Sequence, residues 1–228
     1  SGELGPREGF VGDTAVADRN GRELGHAALA ALISLPAAGT TFVYAGPVVS
    51  GATLGSWKHQ PIDTASKTAW KLQRWHEPLN YHPGQPTASQ VQNDLADLQH
   101  QEAAARAAGD ETRAADFRAL AERKNRLLHR LAQLPPSETF PLQVALLHIG
   151  DAIWLGVQGE SYNLLQTELR RRFPDRIIIV ASIAADWGAS YLPPRELYDT
   201  GIYQESIAIV AAGSLEQLID GIVKHIVN

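Results

Sequence analysis

Apolar positions recur at helical intervals from about Asp13 to Leu35, with Leu24, Ala28 and Leu32 on one face. Pro36 stops that pattern, because its ring removes a backbone donor and clashes with the preceding turn. Thr40–Val49 (TTFVYAGPVV) is rich in β-branched and aromatic residues and predicts a strand. Residues 50–86 hold Trp57, Trp70 and Trp75 among several Pro and Gly, with no clean period. This stretch reads as a long, partly irregular region covering a groove. Thr87 is placed as an N-cap, and Val91, Leu95 and Leu98 then mark the apolar stripe of a helix running to about Ala108. Gly109-Asp110 breaks it. A second helix is expected from about Glu111 to Leu134, with Phe117, Leu120, Leu127, Leu131 and Leu134 on one face, ended by Pro135-Pro136. The two form a helical hairpin.

The last third changes texture. Leu142–Ile149 and Ala152–Val157 are apolar runs of strand length separated by Gly150-Asp151, a hairpin turn. Ser161–Phe173 is amphipathic and closed by Pro174, so a helix is expected there. Arg176–Ala184 (RIIIVASIA) is nearly continuous in apolar residues and predicts a central strand covered on both faces. A helix from about Ser214 to Val227 ends the chain. No internal repeat or low-complexity segment interrupts this order. The expected fold class is α/β (α+β layered), a mixed sheet with flanking helices and the helical hairpin 87–134 inserted.

Composition narrows the function classes. The 228 residues are 44% hydrophobic and 20% charged, which excludes a disordered tail, a collagen-like repeat and a bare coiled coil. No apolar run approaches the roughly 20 residues needed to span a bilayer, so no transmembrane segment is expected. The net charge of -5 gives no electrostatic reason to expect nucleic acid as a partner. Without cysteine, disulfides, zinc fingers and thiol nucleophiles are excluded. The absence of methionine, even at position 1, reads as a fragment or processed product of a longer protein, whose site it carries in part.

Two segments carry candidate chemistry. At Gly156–Ser161 (GVQGES) a strand ends, a glycine permits a sharp turn and a carboxylate stands before a helix. Strand ends facing a helix N-terminus are favoured ligand positions in α/β sheets. Glu160 is therefore either a functional carboxylate or a cap of that helix. The second segment, Ala185–Pro194 (ADWGASYLPP), leaves the other strong strand at its C-terminal end. Glu160 and Tyr191 converge on one crevice if the two strands are neighbours. A phenol needs a cation to favour its ionised form as a ligand, since its ordinary pKa is about 10. The competing reading of Tyr191 is a lid packed between Trp187 and Pro193-Pro194. Arg170-Arg171-Arg172 complements a helix dipole or, alternatively, binds phosphate. The Trp-rich stretch 57–75 packs a core or contacts lipid.

His148–Glu160 (HIGDAIWLGVQGE), the strand RIIIVASIAADW, and Ala189–Ser206 (ASYLPPRELYDTGIYQES) resemble, in order and spacing, the catalytic domain of the neutral/alkaline non-lysosomal ceramidase family. The resemblance covers about residues 10–228 and is strong from about 140 to 206. It implies that residues 1–228 are the C-terminal portion of one catalytic domain whose N-terminal half, with two histidine ligands, lies outside this chain. It further implies a Zn2+-dependent amidohydrolase that cleaves the N-acyl bond of ceramide or a related lipid amide. On the family's motif Glu160 and Tyr191 fall on metal ligands and Tyr203 on a catalytic tyrosine near the substrate. The chain alone would then bind zinc weakly and hydrolyse nothing. Gln158 stands where the family has proline, and Tyr203-Gln204-Glu205 where it has Tyr-Glu. Gly12-Asp13 is kept from a Gly-Asp-x-Ser stretch, but Ala15 holds the position of a serine important to activity. The alternative is a non-catalytic lipid- or protein-binding relative of the same fold. A third reading is a hydrolase of that fold acting on another amide or ester. By resemblance the protein is secreted, periplasmic or membrane-associated. None of the eight His shows a paired ligand spacing, and His148, in an apolar strand, reads as a core residue.

Overall fold

A computed structural model describes residues 2–63, 70–186, 188 and 190–227. The elements run α1 (Thr14–Ser34), β1 (Thr40–Ser50), β2 (Ala52–Pro61), β3 (Trp70–Asn80), α2 (Ala88–Ala107), α3 (Glu111–Gln133), β4 (Thr139–Ile149), β5 (Ala152–Val157), β6 (Glu160–Ser161), α4 (Leu164–Arg172), β7 (Ile177–Ser182), β8 (Tyr191–Leu192), a 3-10 turn (Arg195–Leu197), α5 (Tyr203–Ile207) and α6 (Ser214–Val227). Helices and mixed sheets give an α/β layered fold, as the periodicity predicted. The chain divides into two compact units, one of Ser1–Glu3, Leu72–Leu147 and Ile153–Asn228, the other of Leu4–Lys71 and His148–Ala152.

The larger unit is built on a four-stranded sheet in the order β3-β4-β5-β7. Its strands bury alternate residues, as period-2 side-chain direction requires. Phe140, Leu142, Val144 and Leu146 of β4, Ile153, Leu155 and Val157 of β5, and Ile178 of β7 face one core. Leu165 and Leu169 of α4 and Leu215, Leu218, Ile219 and Ile222 of α6 close the same core. Each fully buried leucine contributes about 1.5–3 kcal/mol of transfer free energy. Gly150, at φ +57°, makes the turn between β4 and β5 in a region where a side chain is strained.

Two expectations are corrected here. Arg176–Ala184 is not a central strand covered on both faces: β7 stands at the end of the described sheet order, with Ile177 and Ile179 exposed on either side of buried Ile178. The apolar run misleads because the open face of this sheet also carries apolar residues, with Leu72 and Trp154 exposed on it beside Arg74, His76 and Gln143. Much of the stretch 50–86 is also not irregular, since β2 and β3 are strands of 10 and 11 residues. Alternation is hidden in β2 because both its faces are largely exposed, and in β3 because its covered face mixes Gln73 and Glu77 with Trp75 and Leu79.

The helical hairpin forms as read. Thr87 and Gln90 make a reciprocal capping box at the start of α2, and the Asp110 side chain accepts from Arg113 N–H at the start of α3. The residues buried along the two helices are Val91, Ala105, Ala114 and Ala121, so small side chains let the backbones approach. Leu120, placed on the apolar face from sequence, is exposed.

In the smaller unit, Asp13 caps α1 by accepting the Ala15 N–H at 2.9 Å. This helix has no buried residue. Strands β1 and β2 pair antiparallel with a bulge at Tyr44/Gly46, and Phe42, Tyr44, Trp57 and His59 cluster on one face of the ribbon. No described helix is long and apolar enough to cross a membrane.

Candidate functional site

Glu160 and Tyr191 are neighbours across a parallel strand pair. Strands β6 and β8 are two residues each, and their register sets Glu160 opposite Tyr191 and Ser161 opposite Leu192. The pair is held by the backbone: Glu160 N–H donates to Ser190 O at 2.7 Å, and Tyr162 N–H donates to Leu192 O at 3.3 Å. Just before it, Gly159 N–H reaches Asp186 O at 3.0 Å and Gly159 O accepts from Ile183 N–H at 2.8 Å. Adjacent strands lie about 4.8 Å apart, so a long side chain at each position reaches the other. The Tyr191 phenol and the Glu160 carboxylate interact electrostatically across the pair.

The sequence folds this way because the exits of β5 and β7 are tied together. Gln158, buried, accepts the Gln143 N–H at 3.0 Å through Oε1 and donates through Nε2 to Asp186 Oδ1, which also takes the Gly188 N–H at 2.7 Å. Gln158 thus clamps β4 to the loop that delivers Tyr191. Ser190 has φ +59° and is fully buried, and its Oγ has no hydrogen-bond partner among the described residues. A non-glycine residue in the left-handed region is strained, and such strain marks positions where the surroundings dictate the backbone.

The reading of Glu160 as a helix cap is corrected. Residues 160–161 are strand, α4 begins at Leu164, and its N-cap Asn163 makes no side-chain cap bond. The carboxylate serving that end is Glu3, whose Oε1 accepts the Asn163 N–H at 2.6 Å. The lid reading of Tyr191 involves Trp187, which lies outside the described residues. Arg170, Arg171 and Arg172 do not gather around an open anion site. Arg170 donates to Ile178 O, Arg171 pairs with Glu168, and Arg172 pairs with Glu168 and Asp220.

Tyr203 opens α5, and its half-exposed ring stands 6.2 Å from that of Tyr191, inclined at 67°. On its other contact, the Arg123 guanidinium of α3 lies 5.8 Å from the Tyr203 ring centre. Residues not singled out in the sequence complete the surroundings. A Cβ on Gly2 would come within 2.9 Å of the Tyr191 ring and 3.0 Å of the Tyr162 ring, so only glycine fits there. Gly2 N–H donates to Ser161 O at 3.2 Å, and its carbonyl accepts from Gln204 Nε2 at 2.9 Å. The Gly-rich irregular start gave one signal of this: a glycine followed by a carboxylate in a segment with no element of its own.

Electrostatics favour the neutral phenol. Burial pushes the Tyr191 pKa above the ordinary range, and the negative charge of Glu160 adds to it, with Tyr203 acting the same way. Tyr162 is raised likewise, by burial and then by Glu3 and Tyr191. A carboxylate beside a phenol is a two-oxygen donor set that a divalent cation can convert to carboxylate plus phenolate. Among the described residues no three His, Cys, Asp or Glu side chains gather as a metal ligand set. His82 accepts from Gly84 N–H and stacks on Tyr198, while His225 stacks on Trp75 at 3.7 Å.

No family model matches this chain, no curated protein matches it, and no solved structure matches it.

Proposed function

We propose that the protein is part of a zinc-dependent amide hydrolase resembling neutral ceramidase, with a lipid amide of the ceramide type as substrate. The observation that carries this reading is the facing register of Glu160 and Tyr191, residues 31 positions apart that the two short strands place side by side. The donor set fits the metal in part: Glu160 and Tyr191 would hold it with two oxygens, and further ligands would come from outside these two strands. A zinc ion, when bound, supplies Lewis acidity and a water of lowered pKa. Tyr191 would have to give up its proton to solvent on taking that role, since Glu160 would itself hold the metal as a carboxylate. Tyr203 stands within ring contact of Tyr191 and offers its O–H to the oxyanion of a tetrahedral intermediate or to substrate. Strand β8 and α5 together fix the separation of the two phenols.

Zinc titration of the whole chain tests the proposal. Weak binding is expected, accompanied by a tyrosinate band in the near-ultraviolet and by proton release. Glu160→Ala and Tyr191→Phe should each remove both signals. Absence of any tyrosinate band at saturating zinc overturns the ligand assignment. Sub-micromolar affinity that survives in Glu160→Ala would place the metal elsewhere.

A second reading, a non-catalytic lipid- or protein-binding relative, is favoured by Ala15 in place of the resembled family's serine. It predicts that the protein holds no stoichiometric zinc, which metal analysis decides.

A further inference from the structure

We infer that the face of α3 carrying Arg123, Arg126 and Arg130 is an oxyanion-binding subsite beside Tyr203, for an amide whose amine side carries a carboxylate or a phosphate. The inference deepens the proposed amide hydrolysis and rests on that reading only for what the subsite serves.

Spacings of three, four and seven residues put these three guanidinium groups on one side of the helix. Two of them are anchored at the site. Arg123 lies over the Tyr203 ring, and Arg130 Nη1 donates to Ile207 O at 3.3 Å, at the far end of the helix that Tyr203 opens. Burial lowers the Arg130 pKa, and the neighbouring charge of Arg126 acts in the same direction while Tyr203 opposes it. Positive charge is therefore crowded at this end of the site.

Along α3 the described ion pairs are Arg118 with Glu102 and Lys124 with Asp94, and none of them uses Arg123 or Arg126. On α5, Glu205 accepts from the backbone N–H groups of Asp199 and Gly201. An incoming anion would thus meet guanidinium groups whose planar forks match the oxygen spacing of a carboxylate or phosphate. With Tyr203 standing between Tyr191 and Arg123, the anionic group belongs a few bonds from the amide on which Glu160 and Tyr191 would act.

The test uses the whole chain with a chelator present, so that zinc plays no part. Binding of N-lauroylglycine and of the neutral N-lauroylethanolamine is compared by calorimetry, with inorganic phosphate and acetate as competitors. N-lauroylglycine is expected to bind at least about tenfold more tightly, because hydrogen bonds to a charged group are worth roughly twice neutral ones. The double variant Arg123→Gln/Arg126→Gln, both exposed positions, should abolish that difference and leave the neutral amide unaffected. Circular dichroism checks that it folds. Competition by phosphate assigns phosphate as the preferred anion, and competition by acetate alone assigns a carboxylate. Equal binding of the two amides, or an unchanged difference in the double variant, overturns the subsite. Glu160→Ala should remove zinc binding and keep the anion preference, so loss of the zinc signal in the wild-type chain counts against the hydrolase reading alone.

Discussion

Glu160 and Tyr191 face each other because of backbone decisions made at residues that carry no chemistry. Ser190 takes a left-handed conformation immediately before Tyr191, and its carbonyl receives the Glu160 N–H. A β-branched side chain cannot occupy that region cheaply, so Ser190→Val should destabilise the fold by about 1–3 kcal/mol. Ser190→Gly should stay within about 1 kcal/mol of wild type, since glycine adopts the same φ freely and removes a buried hydroxyl without a partner. Urea denaturation of the two variants checks this. Equal stability of both would mean that the left-handed turn does not constrain Tyr191. The sequence named Glu160 and Tyr191 as candidates because each leaves a strong strand. It was silent on Ser190, because a left-handed serine has no local sequence mark.

At the scale of elements, local signals served the helices well and the sheets unevenly. The N-cap at Thr87 forms as read, and Gln90 completes it as a reciprocal capping box. The hairpin partner of each helix face is less local. Of the expected stripe of α3, Phe117, Leu127, Leu131 and Leu134 are partly buried and only Leu120 is exposed, while the most buried positions are Ala114 and Ala121. Enlarging that contact should be costly: Ala121→Leu is expected to destabilise by about 1–3 kcal/mol, because extra methylenes force close-packed helices apart. Thermal denaturation measures it, with exposed Leu120→Ala as a control expected to change little. Strand β2 was missed because residues open to solvent on both faces carry no alternation to read, and β3 because its covered face mixes Gln73 and Glu77 with Trp75 and Leu79.

For the whole molecule, three tyrosines tie stability to alkaline pH. Burial raises the pKa of Tyr162, Tyr191 and Tyr198, and the Tyr198 hydroxyl also donates to Val210 O at 2.9 Å. An unfolded chain releases these protons near pH 10 while the folded one keeps them. The folded state then binds more protons, so stability is fully present below about pH 10 and falls as pH rises through the folded values. The melting temperature should drop steeply above that pH, and Tyr198→Phe should flatten the drop. An alkaline profile that Tyr198→Phe leaves unchanged would assign the loss to other groups. Bound zinc should reverse the sign at Tyr191 alone, by favouring its phenolate.

By itself the sequence determined the number and type of most elements, because helix and strand periods are local properties of consecutive side chains. It also marked the two strand exits at which Glu160 and Tyr191 stand. Only the tertiary structure decided that these exits pair in register, that β7 lies at the end of its sheet, and that α3 brings its arginines to Tyr203. Pairing partners are chosen by contacts between residues tens of positions apart, and the free energy of such contacts depends on the whole core that forms around them.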